Sequence, residues 1–112
     1  MVDRNPYNYL LWRQGSGHTV EIYDLMVDAT CRRNGVGRKL VDKLLDHYLP
    51  AGTRLVFAIT RTSNFIAQQF YEELRFRVVG ILRNFYQDER SPEQVDAIMY
   101  GRDIKPVIKE EK

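Results

Sequence analysis

Apolar and polar positions alternate along the first quarter of the chain and then change period. Tyr7-Asn8-Tyr9-Leu10-Leu11-Trp12-Arg13 is rich in aromatic and apolar residues and predicts a strand. Gln14-Gly15-Ser16-Gly17 is a glycine-rich turn. From Thr19 to Val27, apolar residues fall at Val20 and Ile22 and then at Leu25 and Val27. The slip of phase near Asp24 is what a β-bulge would produce. These two strands are expected to form a hairpin. Next, Val36, Leu40, Val41, Leu44, Leu45, Tyr48 and Leu49 recur at three- and four-residue steps, with Arg38, Lys39, Asp42, Lys43 and Asp46 between them. That spacing predicts an amphipathic helix over about 35–49, stopped by Pro50-Ala51-Gly52.

The second half repeats the change of period. Arg54-Leu55-Val56-Phe57-Ala58-Ile59-Thr60 is almost continuously apolar, the mark of a central strand buried on both faces. Ser63 or Asn64 is placed to cap a second helix, whose apolar face is Ile66, Ala67, Phe70, Tyr71 and Leu74. Phe76 to Leu82 predicts a strand that runs on through Tyr86. Gln87 to Gln94 is a polar connection, and Val95 to Tyr100 a last strand. The order β-β-α-β-α-β-β makes this an α/β (α+β) chain. A helix between central strands implies a parallel crossover, flanked by antiparallel hairpins. A mixed, mostly antiparallel sheet with helices packed on it is expected. Residues 1–104 form one domain, and 105–112 a charged, frayed tail.

Composition bounds the chain without identifying it. Its 112 residues allow a single domain. One cysteine excludes an internal disulfide framework and a Cys-rich zinc site, and suits a reducing, cytoplasmic location. No apolar run approaches the ~18–20 residues of a membrane span, and the N-terminus has no secretory h-region. The net charge of +2 does not by itself argue for nucleic acid. What matters is where the positive charge sits. Arg32, Arg33, Arg38 and Lys39 place four cations within eight residues, around Asn34-Gly35-Val36-Gly37.

This loop joins a strand to a helix start. The first amides of a helix lack partners and carry partial positive charge, and Gly35 and Gly37 keep side chains away from them. A diphosphate is the natural guest of such a cradle. An ordinary connection with glycines used for geometry is the alternative, and spacing alone leaves both open. A Walker loop is excluded for want of Gly-Lys-Ser/Thr. The dinucleotide fingerprint fails at Leu40, where its third glycine would stand.

Arg32-x-x-Gly35-x-Gly37, between a strand and a helix, resembles the pyrophosphate-binding motif of the GNAT N-acetyltransferases. Leu25-x-Val27 before it, and Leu40 and Leu44 after it, agree. A second block, from Ser63-Asn64 through Ala67, Phe70 and Tyr71-Glu72 to Phe76, is similar to the family's Asn-x-x-Ala-x-x-x-Tyr-Glu-x-x-Gly-Phe. The resemblance covers about residues 7–103 and implies a GNAT-like fold that binds acetyl-CoA. It implies that Met26 and Val27 pair with the pantetheine arm through their backbone, as an added strand would. Arg32, Arg33, Asn34, Gly35, Val36, Gly37, Arg38 and Lys39 hold the diphosphate. Asn64 bonds the cofactor near the splayed central strands, Ala67 and Phe70 line the arm's channel, and Tyr71 stands near the thioester sulfur.

The implied chemistry is direct attack of a primary amine on the acetyl carbonyl in a ternary complex. Holding the reactants together supplies much of the rate. A backbone N–H around Met26–Val27 can stabilise the oxyanion. Tyr71 can protonate the leaving thiolate, whose parent thiol has a pKa of about 8.5. Without the motif, Tyr71 reads as a core aromatic. Glu21, six residues before Val27, stands where the histone-acetylating branch carries its base. A hydrated strand carboxylate is the alternative, and Asp24 is a second, weaker candidate.

For the acceptor, Asn84-Phe85-Tyr86-Gln87-Asp88 followed by Asp96-Ala97-Ile98-Met99 resembles the ribosomal-protein N-terminal acetyltransferase branch. An α-amine, with a pKa of about 7.7–8.0, keeps a useful neutral fraction near pH 7, which lysine does not. A peptide N-terminus or a small amine is expected as acceptor, with no membrane or nucleic-acid partner. Three departures stand out. Ala29 replaces a usual Pro. Arg75 replaces the Gly that ends the second helix in a left-handed turn, so that turn is expected to differ. Ile59 stands where the ribosomal-protein branch has a catalytic Glu. Cys31 lacks a histidine partner for covalent catalysis, and His18 and His47 have no ligand spacing.

Set against an N-acetyltransferase is a non-catalytic acyl-CoA sensor or interaction subunit of the same fold. The chain begins at the hairpin before the cofactor loop, without the strand and helices that wall the family's acceptor cleft. An open acceptor site, a homodimer through the N-terminal strand edge, or truncation would each follow.

Overall fold

The alternating start of the chain forms strands β1 (Tyr9–Gln14) and β2 (Thr19–Met26), paired antiparallel. The structure is a computed structural model that describes residues 1–86 and 96–105. The expected slip of phase is a bulge: Leu11 faces Asp24 while Trp12 faces Ile22, leaving Tyr23 as the extra residue. Leu10 uses its N–H and C=O on the outer side of β1 to bond Met1. Part of the strand edge expected to serve a homodimer is therefore taken by the chain's own N-terminus. Only 12–14 remain for a second copy.

The apolar stripe at three- and four-residue spacing forms helix α1 (Val36–Lys43), prolonged by a wider π-type turn, Leu44–Tyr48. The helix thus nearly fills the predicted length, but Gly35 is its N-cap rather than its first residue. Leu49 is extended and Gly52 turns left-handed (φ 85°), which ends it. Strand β3 (Leu55–Arg61) follows. Val56, Ala58 and Thr60 are buried, whereas Leu55, Phe57, Ile59 and Arg61 are only half-buried. The expectation of burial on both faces is therefore corrected. Both helices pack on one side, so among the described residues no helix covers the other.

Helix α2 (Phe65–Glu73) is capped by Asn64, whose side chain accepts from Ala67 N–H. Its buried stripe is narrower than predicted. Ile66 is 81% exposed, because it lies about 90° around the helix from the centre of the Ala67–Phe70–Tyr71–Leu74 stripe. Strand β4 (Arg77–Leu82) stops short of Tyr86. Asn84 turns left-handed (φ 56°) and donates its N–H to Asp96 Oδ1 at 2.8 Å, which bends the chain out of the sheet. The last strand, β5 (Ala97–Asp103), starts later and runs further than predicted, pairing along the whole of β3. Val95, the connection before it and the tail beyond Lys105 lie outside the described residues.

The sheet order is β1-β2-β3-β5-β4. Only β2 and β3 are parallel, which is the mixed, mostly antiparallel sheet with a central crossover read from the element order. Leu10, Val20, Ile22, Val56, Ala58 and Tyr100 of the sheet meet Leu40, Val41 and Leu44 of the first helix, and Tyr71 and Leu74 of the second. No helix among the described residues is long and apolar enough to cross a membrane.

Arg75 corrects one expectation. It adopts the left-handed conformation itself (φ 66°). Its N–H bonds Glu72 C=O and the next N–H, of Phe76, bonds Tyr71 C=O. The turn keeps the geometry a glycine would give it, at a strain of roughly 1 kcal/mol. Arg75→Gly is expected to raise stability by up to about 1 kcal/mol, the relief of strain being partly offset by glycine's unfolded-state entropy. The midpoint of urea unfolding measures it, and a lower midpoint would contradict it.

Candidate active site

The site begins where the sheet opens. β2 and β3 pair only from Thr19↔Leu55 to Ile22↔Ala58. The extra residue, Tyr23, comes next, and Tyr23–Met26 and Ile59–Arg61 do not pair with each other. A bulge increases local twist and re-aims its strand, and here it coincides with the parting. The gap leaves backbone edges that an extended ligand can meet as an added strand would. Met26 ends β2 opposite Tyr9 and is exposed. Val27 follows it, and its carbonyl accepts from Arg32 Nε at 3.3 Å.

The loop from Asp28 to Gly35 leads from this gap to the start of α1. Arg33 (φ 69°) and Gly35 (φ 74°) are both left-handed. A side chain at such a position is strained, which Arg33 tolerates and Gly35 avoids. Gly35 provides no side-chain cap, so the first amides of α1, at Val36, Gly37 and Arg38, have no helical acceptor and point out of its N-terminus. Arg32, Arg33, Asn34, Arg38 and Lys39 surround them, all exposed. Arg38 approaches Asp42 loosely, at 3.9 Å. Helix dipole, free amides and cations thus meet in one place, the combination that anion binding requires.

Gly37 has a further role that spacing did not show. A Cβ there would lie 3.0 Å from Phe70 Cε1, 3.2 Å from Phe70 Cζ and 3.5 Å from Val27 Cγ2. The missing side chain admits the Phe70 ring rather than an anion. Phe70 therefore joins the two sequence blocks. It touches the start of α1 and stands edge-on to Tyr71, with ring centroids 5.2 Å apart. Ala67 and Phe70 are half-buried against the core. Asn64 is exposed at the start of α2, its Oδ1 already engaged as the cap. Its amide nitrogen is the group left to offer a ligand.

Tyr71 is 5% exposed and held by aromatic neighbours: Phe76 at 5.3 Å and Tyr100, stacked, at 6.1 Å. Tyr100 donates to Glu72 Oε1 at 3.1 Å, fixing its own ring. Burial, and secondarily the negative charge of Asp24, push the Tyr71 phenol up to about 12. Glu21 is placed differently. It precedes the gap, opposite Phe57, with its carboxylate on Arg13 Nε at 2.9 Å. Among the described residues no hydrogen bond or ion pair joins Glu21 to Tyr71. Asp24, which accepts from Tyr9 Oη at 3.1 Å, is the carboxylate whose charge reaches Tyr71. Cys31 lies beside Asn5 and Thr30, with no histidine in contact.

Two groups went unnoticed in the sequence. Asn8 is fully buried. Its Oδ1 accepts from Asp28 N–H at 2.6 Å and its Nδ2 donates to Asp3. Asn5 donates to Asp28 Oδ2, and that bond, with the Thr30 N–H, holds the Asp28 carboxyl below its usual range. The N-terminal turn thus ties down the loop that carries the cradle. Its signal was a pair of asparagines beside Pro6, a turn composition that was read only for its lack of a leader. The second is Thr60, in the apolar run of β3. A concavity of about 560 Å³ between residues 1–4 and α1 borders Val36 and Lys39 rather than the gap. What the gap can do therefore follows from its unpaired strand edges.

Comparison with known proteins agrees with this geometry. Residues 5–76 match the Acetyltransferase (GNAT) family. The ribosomal protein bS18-alanine N-acetyltransferase of Salmonella typhimurium is 33% identical over 83 residues, covering 74% of this chain and 55% of that protein. The chain thus spans about half the length of the curated relatives it matches. The crystal structure of the ribosomal-protein-S18-alanine N-acetyltransferase from Escherichia coli aligns with a TM-score of 0.71 at 26% identity, over 92% of this chain and 64% of that one. A GNAT family acetyltransferase from Elizabethkingia anophelis with acetyl-CoA bound has a TM-score of 0.73 over 85% of this chain and 67% of that one. At 19% identity it shows the fold alone. With a family match over most of its described residues, and the parted sheet and glycine-opened helix that carry the motif, the chain belongs to the GNAT acetyltransferase family.

Proposed function

We propose that this chain is an acetyl-CoA-dependent N-acetyltransferase whose acceptor is a primary amine, with a peptide α-amine as the favoured class. One observation carries the proposal. The free amides and cations at the start of α1 follow, through the 28–35 loop, from the unpaired end of β2 at the gap between parallel strands, and the charge of Asp24 on that unpaired segment reaches Tyr71. The cradle, Arg32 to Lys39, suits the diphosphate of coenzyme A. The edges at Met26 and Val27, with Asn64, Ala67 and Phe70, suit its arm.

The acetyl group moves when the amine's nitrogen–carbon bond forms and the carbon–sulfur bond breaks, the amine giving up a proton as the thiolate gains one, so the enzyme must orient the two reactants and supply a proton to sulfur. Tyr71 is assigned that second task. At pH 7 its phenol is fully protonated, and its packing among Phe70, Phe76 and Tyr100 keeps it in one place. Its pKa of about 12 lies above that of the leaving thiol, about 8.5, so the transfer to sulfur is uphill by itself and is completed when the phenolate takes back a proton given up by the amine. Glu21 is occupied by Arg13, so it is assigned the base's part through an intervening water. Asp24 at the gap supplies the negative field that draws a cationic amine.

The acceptor side is assigned to the sheet face that no helix covers among the described residues. Phe85 stands edge-on to Tyr86 at 4.9 Å, and Arg61, at the end of β3, lies 4.0 Å above the Tyr86 ring. This aromatic and cationic cluster beside the gap suits a peptide backbone better than a small amine. The names of the relatives, which acetylate the alanine N-terminus of a ribosomal protein, support the α-amine class. A homodimer along residues 12–14 would extend the wall of that face, and a chain with a single cysteine suits a cytoplasmic location.

Incubation of the chain with acetyl-CoA and N-terminally free peptides is expected to release free coenzyme A and acetylate the α-amine. Tyr71→Phe should lower kcat by about 10²–10⁴-fold with little change in acetyl-CoA affinity. Binding without release on any acceptor, or an unchanged rate in the Phe variant, would overturn the respective assignments.

The same tyrosine makes a stability prediction. Its folded pKa of about 12 exceeds the ordinary value of 10.0. A raised folded value means that its contribution to stability is fully present below pH 10 and lost as the pH rises toward 12. The loss is about 3 kcal/mol for a two-unit shift. Between about pH 9 and 12, wild type should lose that much more stability than Tyr71→Phe. A constant difference across the range would contradict the burial argument.

A further inference from the structure

Thr60 has a buried hydroxyl with nothing to bond. It is 7% exposed, and its Oγ1 is the one buried side-chain polar atom among the described residues without a hydrogen-bond partner. Its strand position gives that orphan meaning. Burial alternates along β3, so Thr60 shares the helix side with Val56 and Ala58. Those two pack in the core. Ala58 is also the last residue of β3 to pair with β2. Thr60 lies two residues further on, where β2 has left and β5, through Ile98, is the remaining neighbour in the sheet. Gln68 donates to the carbonyls of Arg61 and Thr62, at 3.2 and 2.9 Å, and so clamps α2 over this end of β3. The hydroxyl is therefore enclosed between the clamped helix and the parted strands.

Burying a hydroxyl without a partner is unfavourable, and valine would fill the same space without that cost. The hydroxyl is explained if a partner arrives with the ligand. We propose that Thr60 is a ligand-contacting residue, its hydroxyl hydrogen-bonding an amide of the pantetheine arm as that arm lies in the gap between β2 and β3. A hydroxyl both donates and accepts, so it serves the C=O or the N–H of such an amide. This inference rests on the proposed use of acetyl-CoA and adds a side-chain contact to the backbone contacts of β2. The nucleotide half of the ligand, held at the start of α1, should not sense Thr60.

The test compares Thr60→Val and Thr60→Ser with wild type. Three quantities are measured: the melting temperature without ligand, the Kd for acetyl-CoA, and the Kd for 3′-phosphoadenosine 5′-diphosphate, which has the nucleotide and no arm. Thr60→Val should melt at the same temperature as wild type or a few degrees higher, since it removes the orphan. It should bind acetyl-CoA about tenfold more weakly, the worth of one hydrogen bond, and bind the nucleotide unchanged. Thr60→Ser should keep the wild-type affinity for acetyl-CoA. Unchanged acetyl-CoA affinity in Thr60→Val would overturn the proposal, as would equal weakening for both ligands. A lower melting temperature with unchanged affinity would show that water satisfies the hydroxyl, and would also overturn it. If wild type binds the nucleotide and acetyl-CoA equally well, the arm makes no contact and the inference fails alone. If wild type binds neither, the functional proposal fails with it.

Discussion

The extra residue at Tyr23 is the constraint on which the rest of this structure depends. A parallel strand pair in the middle of a sheet normally stays closed, because each unmade backbone bond there leaves a polar group without a partner. Here the pairing of β2 with β3 ends at Ile22 and Ala58, and the bulge follows at once. Everything assigned to the site lies around the opening that results. The loop after Met26 leads to the start of α1, Phe70 packs against that start and against Tyr71, and Thr60 lies where β3 has lost its β2 neighbour. A sheet that zipped up past Ala58 would satisfy its own backbone and leave no room for an extended ligand.

The second constraint is how the opening is tied to the anion cradle. Gly37 allows Phe70 to approach α1, and Phe70 in turn packs on Tyr71. The proposed diphosphate cradle and the proposed acid thus share one packed contact. The loop between them is fixed from outside by Asn5 and Asn8, whose amides hold Asp28. Positive φ at Arg33 shows strain kept in this loop, as is common where a backbone must present its amides to a ligand. The precision of the site therefore comes from asparagine hydrogen bonds, two of them to the carboxylates of Asp28 and Asp3, and from aromatic packing. The arginines and lysine around it remain exposed and supply charge.

Much of this was legible in the sequence where the signal is local. The periodicity of α1, the alternation of β2 and the slip near Asp24 report directly on which side chains face the core. The glycine-containing block pointed to the start of α1, and the second block, which has no glycine, to the helix that carries Tyr71. What was missed depends on contacts between distant residues. Phe57 and Ile59 suggested burial on both sides of β3, but one side has no helix over it among the described residues. Ile66 looked like core and sits at the rim of its helix. Asn84 ended β4 early through a bond to Asp96, twelve residues on. Thr60 looked like one polar residue in an apolar run, and only the parting of β2 from β3 gives its hydroxyl a purpose. Arg75 shows the converse: a backbone conformation favoured by glycine persists with another residue when the surrounding bonds require it.

The central claim is that one ligand spans the start of α1 and the gap between β2 and β3. Its most direct test is the amide proton–nitrogen correlation spectrum recorded as acetyl-CoA is added. Val36, Gly37 and Arg38 should shift together with residues on both sides of the gap, 24–27 and 59–61, all with the same midpoint. The paired ends of the strands, near Thr19 and Leu55, should stay in place. Shifts confined to the concavity between residues 1–4 and α1, or at the helix start without the gap, would contradict it.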